Sequence, residues 1–161
     1  MRSNSAPQWY IGALMVALCA TTLAQPPGWD ELVRKAKDAI AKGEYTTANN
    51  YLSAALAELQ GAPESDPRWG VALNILGIVK HHVGDFESAT ALFEKALRIF
   101  EDTAGSPDLA TVLYNLGQTQ RERGKYTDAE RSLQRSLTIN RSLYPAGSLD
   151  VAQTLTELGI V

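Results

Sequence analysis

The stretch "LYNLGQTQRERGKYTDAERSLQRSL", residues 113–137, has leucines at helical spacing with charges between them, yet it carries two glycines. Gly117 and Gly124 should each cost a helix interior about 1 kcal/mol against alanine, so one continuous helix is a poor reading. The same arrangement recurs upstream, in "LNILGIVKHHVGDFESATALFEKAL" (73–97) and, more loosely, in "LVRKAKDAIAKGEYTTANNYLSAAL" (32–56). Gly43, Gly84 and Gly124 stand 41 and 40 residues apart, and each is followed two residues later by an aromatic, Tyr45, Phe86 or Tyr126. Ala48, Ala89 and Ala129 come next, then Leu52, Phe93 and Leu133. The motif restarts in "LTELGIV" (155–161), with Gly159 lying 42 residues after Gly117. Self-similarity at a fixed period of this length specifies a repeat architecture.

The connecting segments repeat too. Asp66-Pro67 and Ser106-Pro107 place a capping side chain before a proline, as at a helix start, and Ser148 takes the equivalent place. Each unit therefore reads as a capped helix A, a glycine turn and a helix B. Helix A is expected at about 67–82, 107–122 and from 149 onward; helix B is expected at about 46–59, 87–102 and 127–143. An earlier pair begins near Trp29. The inter-helix glycines supply a left-handed backbone that ends helix A. Ala36, Gly77 and Gly117, within helix A, leave room for helix B to approach, and Ala48, Ala89 and Ala129 keep that crossing tight. The aromatic after each turn and the Leu or Phe seven residues later share one face of helix B and anchor it. One pair cannot bury its apolar face alone, so neighbouring pairs must stack.

Ahead of the repeats, the first 24 residues differ from everything after them. Arg2 precedes the apolar run "YIGALMVALCA" (10–20), which is followed by small residues. That order, positive end, short hydrophobic run and small-residue cut site, is the layout of a secretory signal peptide. The run is shorter than the roughly 20 apolar residues that span a bilayer. Cleavage is expected after Ala24, leaving 25–28 as a proline-rich linker and 29–161 as the repeat domain. The product would be exported, periplasmic or extracellular. Leu18 before Cys19 argues against lipoprotein anchoring, and loss of the leader removes the only cysteine. The mature chain then offers neither thiol catalysis nor cysteine-bound metal.

These positions resemble the tetratricopeptide repeat family, whose pattern of a large apolar residue, Leu-Gly, Gly-x-Tyr, Ala and Phe is met by Leu73, Leu76, Gly77, Gly84, Phe86, Ala89 and Phe93. Leu113, Leu116, Gly117, Gly124, Tyr126, Ala129 and Leu133 meet it again. A period of 40 to 42 is similar to the longer kinesin-light-chain type. The units run about 29–65, 66–105 and 106–147, with a partial one at 148–161. The resemblance implies an all-α fold, a right-handed superhelical solenoid of antiparallel helix-turn-helix repeats whose A helices line a concave groove. Members bind proteins or peptides there and catalyse nothing. By position in the repeat, Asn115 matches a groove asparagine of the family; Asn74 lies one residue early, and Ile75 stands where the asparagine would be. Arg34, Lys37, His81, Gln118 and Arg121 complete the candidate groove.

Other chemistry is thinly represented. A net charge of −3 with scattered lysines and arginines gives no nucleic-acid footprint. His81 and His82, the only histidines, point about 100° apart on a helix and cannot chelate one ion together. One or both is expected on a wet surface. No catalytic triad, phosphate loop or metal spacing stands out, so neither cofactor nor metal is expected. The triplet Asn140-Arg141-Ser142 is a glycosylation signal placed within an expected helix. The reading is an exported scaffold binding a protein or extended peptide through its concave face. The alternative is an N-terminal repeat segment of a larger or self-associating protein, because helix A at 149 onward has no partner helix in this sequence.

Overall fold

The computed structural model describes residues 28–101, 105–145 and 147–160. Residues 1–24, the expected leader with Cys19, lie outside these, as does most of the linker. Seven α-helices and no strand make up the described residues: α1 Trp29–Ala41, α2 Tyr45–Glu58, α3 Pro67–His82, α4 Phe86–Phe100, α5 Pro107–Glu122, α6 Tyr126–Leu143 and α7 Leu149–Ile160. The boundaries expected for helices A and B hold to within two residues. No described helix is long and apolar enough to cross a membrane.

Local chemistry sets these ends. The Asp66 carboxylate accepts from the Arg68 amide at 3.0 Å, and the Ser106 hydroxyl accepts from the Leu109 amide at 3.1 Å. Ser148 does the same for Val151 at 3.4 Å. Each such cap contributes about 1 kcal/mol. At the other end of helix A, Gly43, Gly84 and Gly124 have φ of 74°, 81° and 71°. The residue after each glycine donates back five positions, Glu44 to Ala39, Asp85 to Lys80 and Lys125 to Gln120. That closure satisfies carbonyls the helix leaves open.

Packing follows the repeat. Helices pair as α1 with α2, α3 with α4, and α5 with α6, while α2, α4 and α6 each pack on the A helix of the next unit. The A helices α1, α3 and α5 also touch in sequence, whereas the B helices are held apart. The row whose members touch is the inner row of a curved stack, so the A helices line its concave side. A Cβ built on Gly77 would lie 2.5 Å from the Phe93 ring, and one on Gly117 would lie 2.7 Å from Leu133 Cγ. Both glycines are thus the contacts that the A–B crossings require.

Two apolar clusters result. Leu32, Val33, Ala36, Leu52, Ile75 and Val79 join α1, α2 and α3; Phe93, Ala96, Phe100, Leu109, Leu113 and Leu116 join α4 and α5. Around α6 the buried faces are more polar. Ser136 donates to the Ala110 carbonyl at 2.8 Å, Ser132 donates to Gln120 Oε1 at 2.8 Å, and Asn140 Nδ2 reaches Thr154 Oγ1 at 3.5 Å. Asn140 is 6 % exposed, so its triplet is not presented for glycosylation in the folded chain.

One anchor departs from expectation. Tyr126 is 58 % exposed, although the repeat assigns it the anchoring role of Tyr45 and Phe86. Tyr45 stacks on His82 of the following A helix at 5.3 Å, and Phe86 meets His81 edge-on at 5.3 Å. His81, which meets Phe86, has Arg121 as its equivalent one repeat later, so that ring is missing beside Tyr126.

Candidate functional site

Along the A helices lie an open half, a groove that two of the seven candidate residues line, and a closed half, a side-chain network that takes in four more. The open half is a groove of about 430 Å³ that crosses the A helices diagonally, from the C-terminal half of α1 over the middle of α3 to the first turns of α5. Its apolar floor comes from Ile40 of α1 with Val71, Ile75 and Ile78 of α3. Lys37 and Ala41 flank it on α1, Asn74 stands within it, and Asp108 and Thr111 close its α5 end. Of the candidates, Lys37 and Asn74 line this groove. Arg34 lies a turn before Lys37, exposed and paired with Asp38 at 3.1 Å, and does not line it.

The closed half is a chain of side-chain bonds from α3 to α7. Asn115 Nδ2 donates to Asn74 Oδ1 at 3.0 Å, so the two asparagines meet despite their one-residue offset in the repeat. Gln118 Nε2 donates to Tyr114 Oη at 3.1 Å and to Glu157 Oε1 at 2.9 Å. Arg121 pairs with Glu122 at 2.9 Å and faces Glu157 Oε2 through Nε at 3.6 Å. Both of those last atoms are buried without a hydrogen bond, so they attract as charges only. Burial and the nearby Glu157 push the Tyr114 hydroxyl above its usual pKa. Gln118 therefore spends its amide donors inside the protein and Arg121 is held by two carboxylates, while the mutual bond of Asn115 and Asn74 uses neither Asn115 Oδ1 nor Asn74 Nδ2.

His81 belongs to the same network. Thr119 Oγ1 donates to the Asn115 carbonyl at 2.8 Å, and a hydroxyl has one proton to give. The imidazole must therefore donate from Nδ1 to Thr119 Oγ1, across 2.9 Å. His81 is half-buried and His82 is exposed, so one of the two stands on the wet surface. Their rings sit edge to face 5.8 Å apart, a geometry that shares no ion. Among the described residues no cluster of metal-ligating side chains occurs.

Burial lowers the His81 pKa, helped by His82 and Arg121 and opposed by Glu122 and Glu157. A histidine depressed in the folded state binds fewer protons there than in the unfolded chain. Its contribution to stability is full above the unfolded value, about 6.5, and is lost as pH falls through the folded one. Stability is expected to fall on acidification from pH 7 to 5, and His81→Gln is expected to flatten that slope. Thermal melts across this range check it; Asp66 and Asp85, also lowered, act only at more acidic pH.

Sequence reasoning missed Ile40, Ala41, Val71, Ile78, Asp108 and Thr111 as groove residues, and Glu157 and Tyr114 as members of the network. The repeat register did signal these, since each belongs to an A helix, the row expected to line the groove; Phe100, which also lines it, comes from the B helix α4 and carried no such signal.

The family model described as tetratricopeptide repeat matches residues 70–142 and 108–161, more than half of the chain. No curated protein matches. Among solved structures, BtubC (BKLC) from P. vanneervenii is similar with a TM-score of 0.73 at 22 % identity, over 86 % of this chain and 58 % of that one. A Podosopora anserina putative kinesin light chain with nearly identical TPR-like repeats has a TM-score of 0.72 at 16 % identity, over 80 % of this chain and 63 % of that one. The chain thus spans about three-fifths of the length of these neighbours, and the likeness establishes a shared helical-repeat solenoid.

Proposed function

The chain belongs to the tetratricopeptide repeat family, and from that premise we infer that it is a binding scaffold whose concave groove takes a protein or an extended peptide. Repeats of this family generally mediate protein–protein interactions and are typically not enzymes. The observation that carries the reading is the diagonal groove itself, with an apolar floor beneath polar side chains from three successive A helices. A preformed surface of that kind limits the ordering cost of binding. The amide edges of Asn74 and Asn115 beside it suit a ligand backbone.

The test uses exposed lining positions, where substitution spares the core. A partner captured by the mature chain is expected to be lost with Ala41→Arg and with Thr111→Arg, and kept with Thr138→Arg on the outer helix α6. Equal capture by all three variants would remove the groove from the account. Asn74→Ala together with Asn115→Ala is expected to weaken the same partner by roughly tenfold, which is about 1.4 kcal/mol.

We propose further that the scaffold acts after export, on the strength of the leader-like residues 1–24. Expressed with that segment in a secreting bacterial host, the chain is expected to begin at Gln25; an intact Met1 terminus in the exported fraction would contradict it. A second reading, self-association through α7, is supported by Leu149 and Leu155, which are 70 % and 45 % exposed. Light scattering that shows a monomer at high concentration would count against it.

A further inference from the structure

We propose that the groove selects an extended segment in which a large apolar side chain lies between an acidic and a basic residue. This rests on the groove reading above and adds the chemistry of the occupant. Ile40, Val71, Ile75 and Ile78 form a floor with no polar atom of their own side chains, in a space of about 430 Å³. That suits one large aliphatic or aromatic side chain together with the backbone carrying it. The floor alone would accept any apolar segment.

The two ends of the groove discriminate. Lys37 stands at the α1 end and Asp108 at the α5 end. Elsewhere on the A helices and their turns, charges facing one another are already matched: Arg34 with Asp38, Lys80 with Asp85, and Arg121 with Glu122 and Glu157. Lys37 and Asp108 have neither an ion pair nor a side-chain hydrogen bond among the described residues. A segment that covers the floor strips water from both charges, and an unpaired charge in such a place is costly. A carboxylate against Lys37 and a cation against Asp108 offset that cost, whereas a like charge at either end repels. The opposed charges also disfavour a polyanion such as nucleic acid, which would meet Asp108 wherever it met Lys37.

Fluorescein-labelled peptides test this in either chain direction. Each has a central tryptophan in a Gly/Ser background, flanked by one Glu and one Lys, by two Glu, or by two Lys. The mixed-charge peptide is expected to bind wild type roughly tenfold tighter than either like-charge peptide at low salt, and replacing its tryptophan by glycine is expected to abolish binding. Lys37→Glu makes both ends acidic and should transfer the preference to the two-Lys peptide. Asp108→Lys should transfer it to the two-Glu peptide. Should a reversal unfold the chain by circular dichroism, Lys37→Gln and Asp108→Asn serve instead and should erase the discrimination. Equal binding of the three peptides, indifference to the tryptophan, or no binding at all overturns the proposal. If binding is blocked by Ala41→Arg yet shows no charge preference, the groove reading stands and this inference falls. Binding that survives Ala41→Arg places the peptide elsewhere and overturns both.

Discussion

Phe93→Ala is expected to lower the free energy of unfolding by about 3–5 kcal/mol, because Phe93 is the largest fully buried side chain among the described residues. Phe93 is 1 % exposed and its ring lies over Gly77 of α3, where no side chain could fill the space it vacates. It also belongs to the cluster that joins α4 to α5. In a stacked array each unit is stabilised by its neighbours, so loss at this position weakens two helix pairs together. Urea denaturation followed by circular dichroism measures it. Tyr126→Ala, at an exposed aromatic, is the control and is expected to change stability by about 0.5 kcal/mol or less. Equal effects of the two truncations would mean that the buried faces are assigned wrongly.

Gly117→Ala is the second case, and here two effects oppose each other. An alanine should favour the isolated helix by about 1 kcal/mol. Its methyl would lie 2.7 Å from Leu133 Cγ and 3.3 Å from the Ala129 carbonyl oxygen. Overpacking a filled crossing costs about 1–3 kcal/mol, and neither obstacle is the loose end of a side chain, so the steric term prevails. A double-mutant cycle separates the two terms. With Leu133→Ala already in place the obstruction at Cγ is gone, and Gly117→Ala is expected to turn neutral or stabilising, a coupling of about 0.5–3 kcal/mol. Additive effects would show that Gly117 is not a packing contact.

These two positions mark how far the sequence was readable. Gly117 and Phe93 recur at a fixed step, and a recurrent residue exposes its structural duty because each unit must solve the same problem. Helix boundaries were equally plain, since Asp66-Pro67 and Ser106-Pro107 open helices and Gly84 and Gly124 close them by local chemistry alone. Tyr126 shows where recurrence misleads, because the ring that meets Phe86, His81, is replaced one repeat later by Arg121. The groove was harder still. Gln118 looked like a free groove donor, but Glu157, distant in sequence, takes its amide at 2.9 Å. Asn74 sits off the expected register and still meets Asn115, because the stagger between successive A helices decides which side chains face each other. That same stagger brings Asp108 and Thr111 of the first turns of α5 opposite Lys37 at the far end of α1, a juxtaposition no single repeat contains.

The central claim is that the concave row of A helices receives the partner. Backbone amide chemical shifts of the isotope-labelled repeat domain with its linker, residues 25–161, recorded while the captured partner or the mixed-charge peptide is titrated in, test it most directly. Shifts centred on Lys37, Asn74, Ile78 and Thr111 are predicted, with the exposed faces of α2, α4 and α6 unmoved. Shifts confined to those outer helices, with the groove silent, would contradict it.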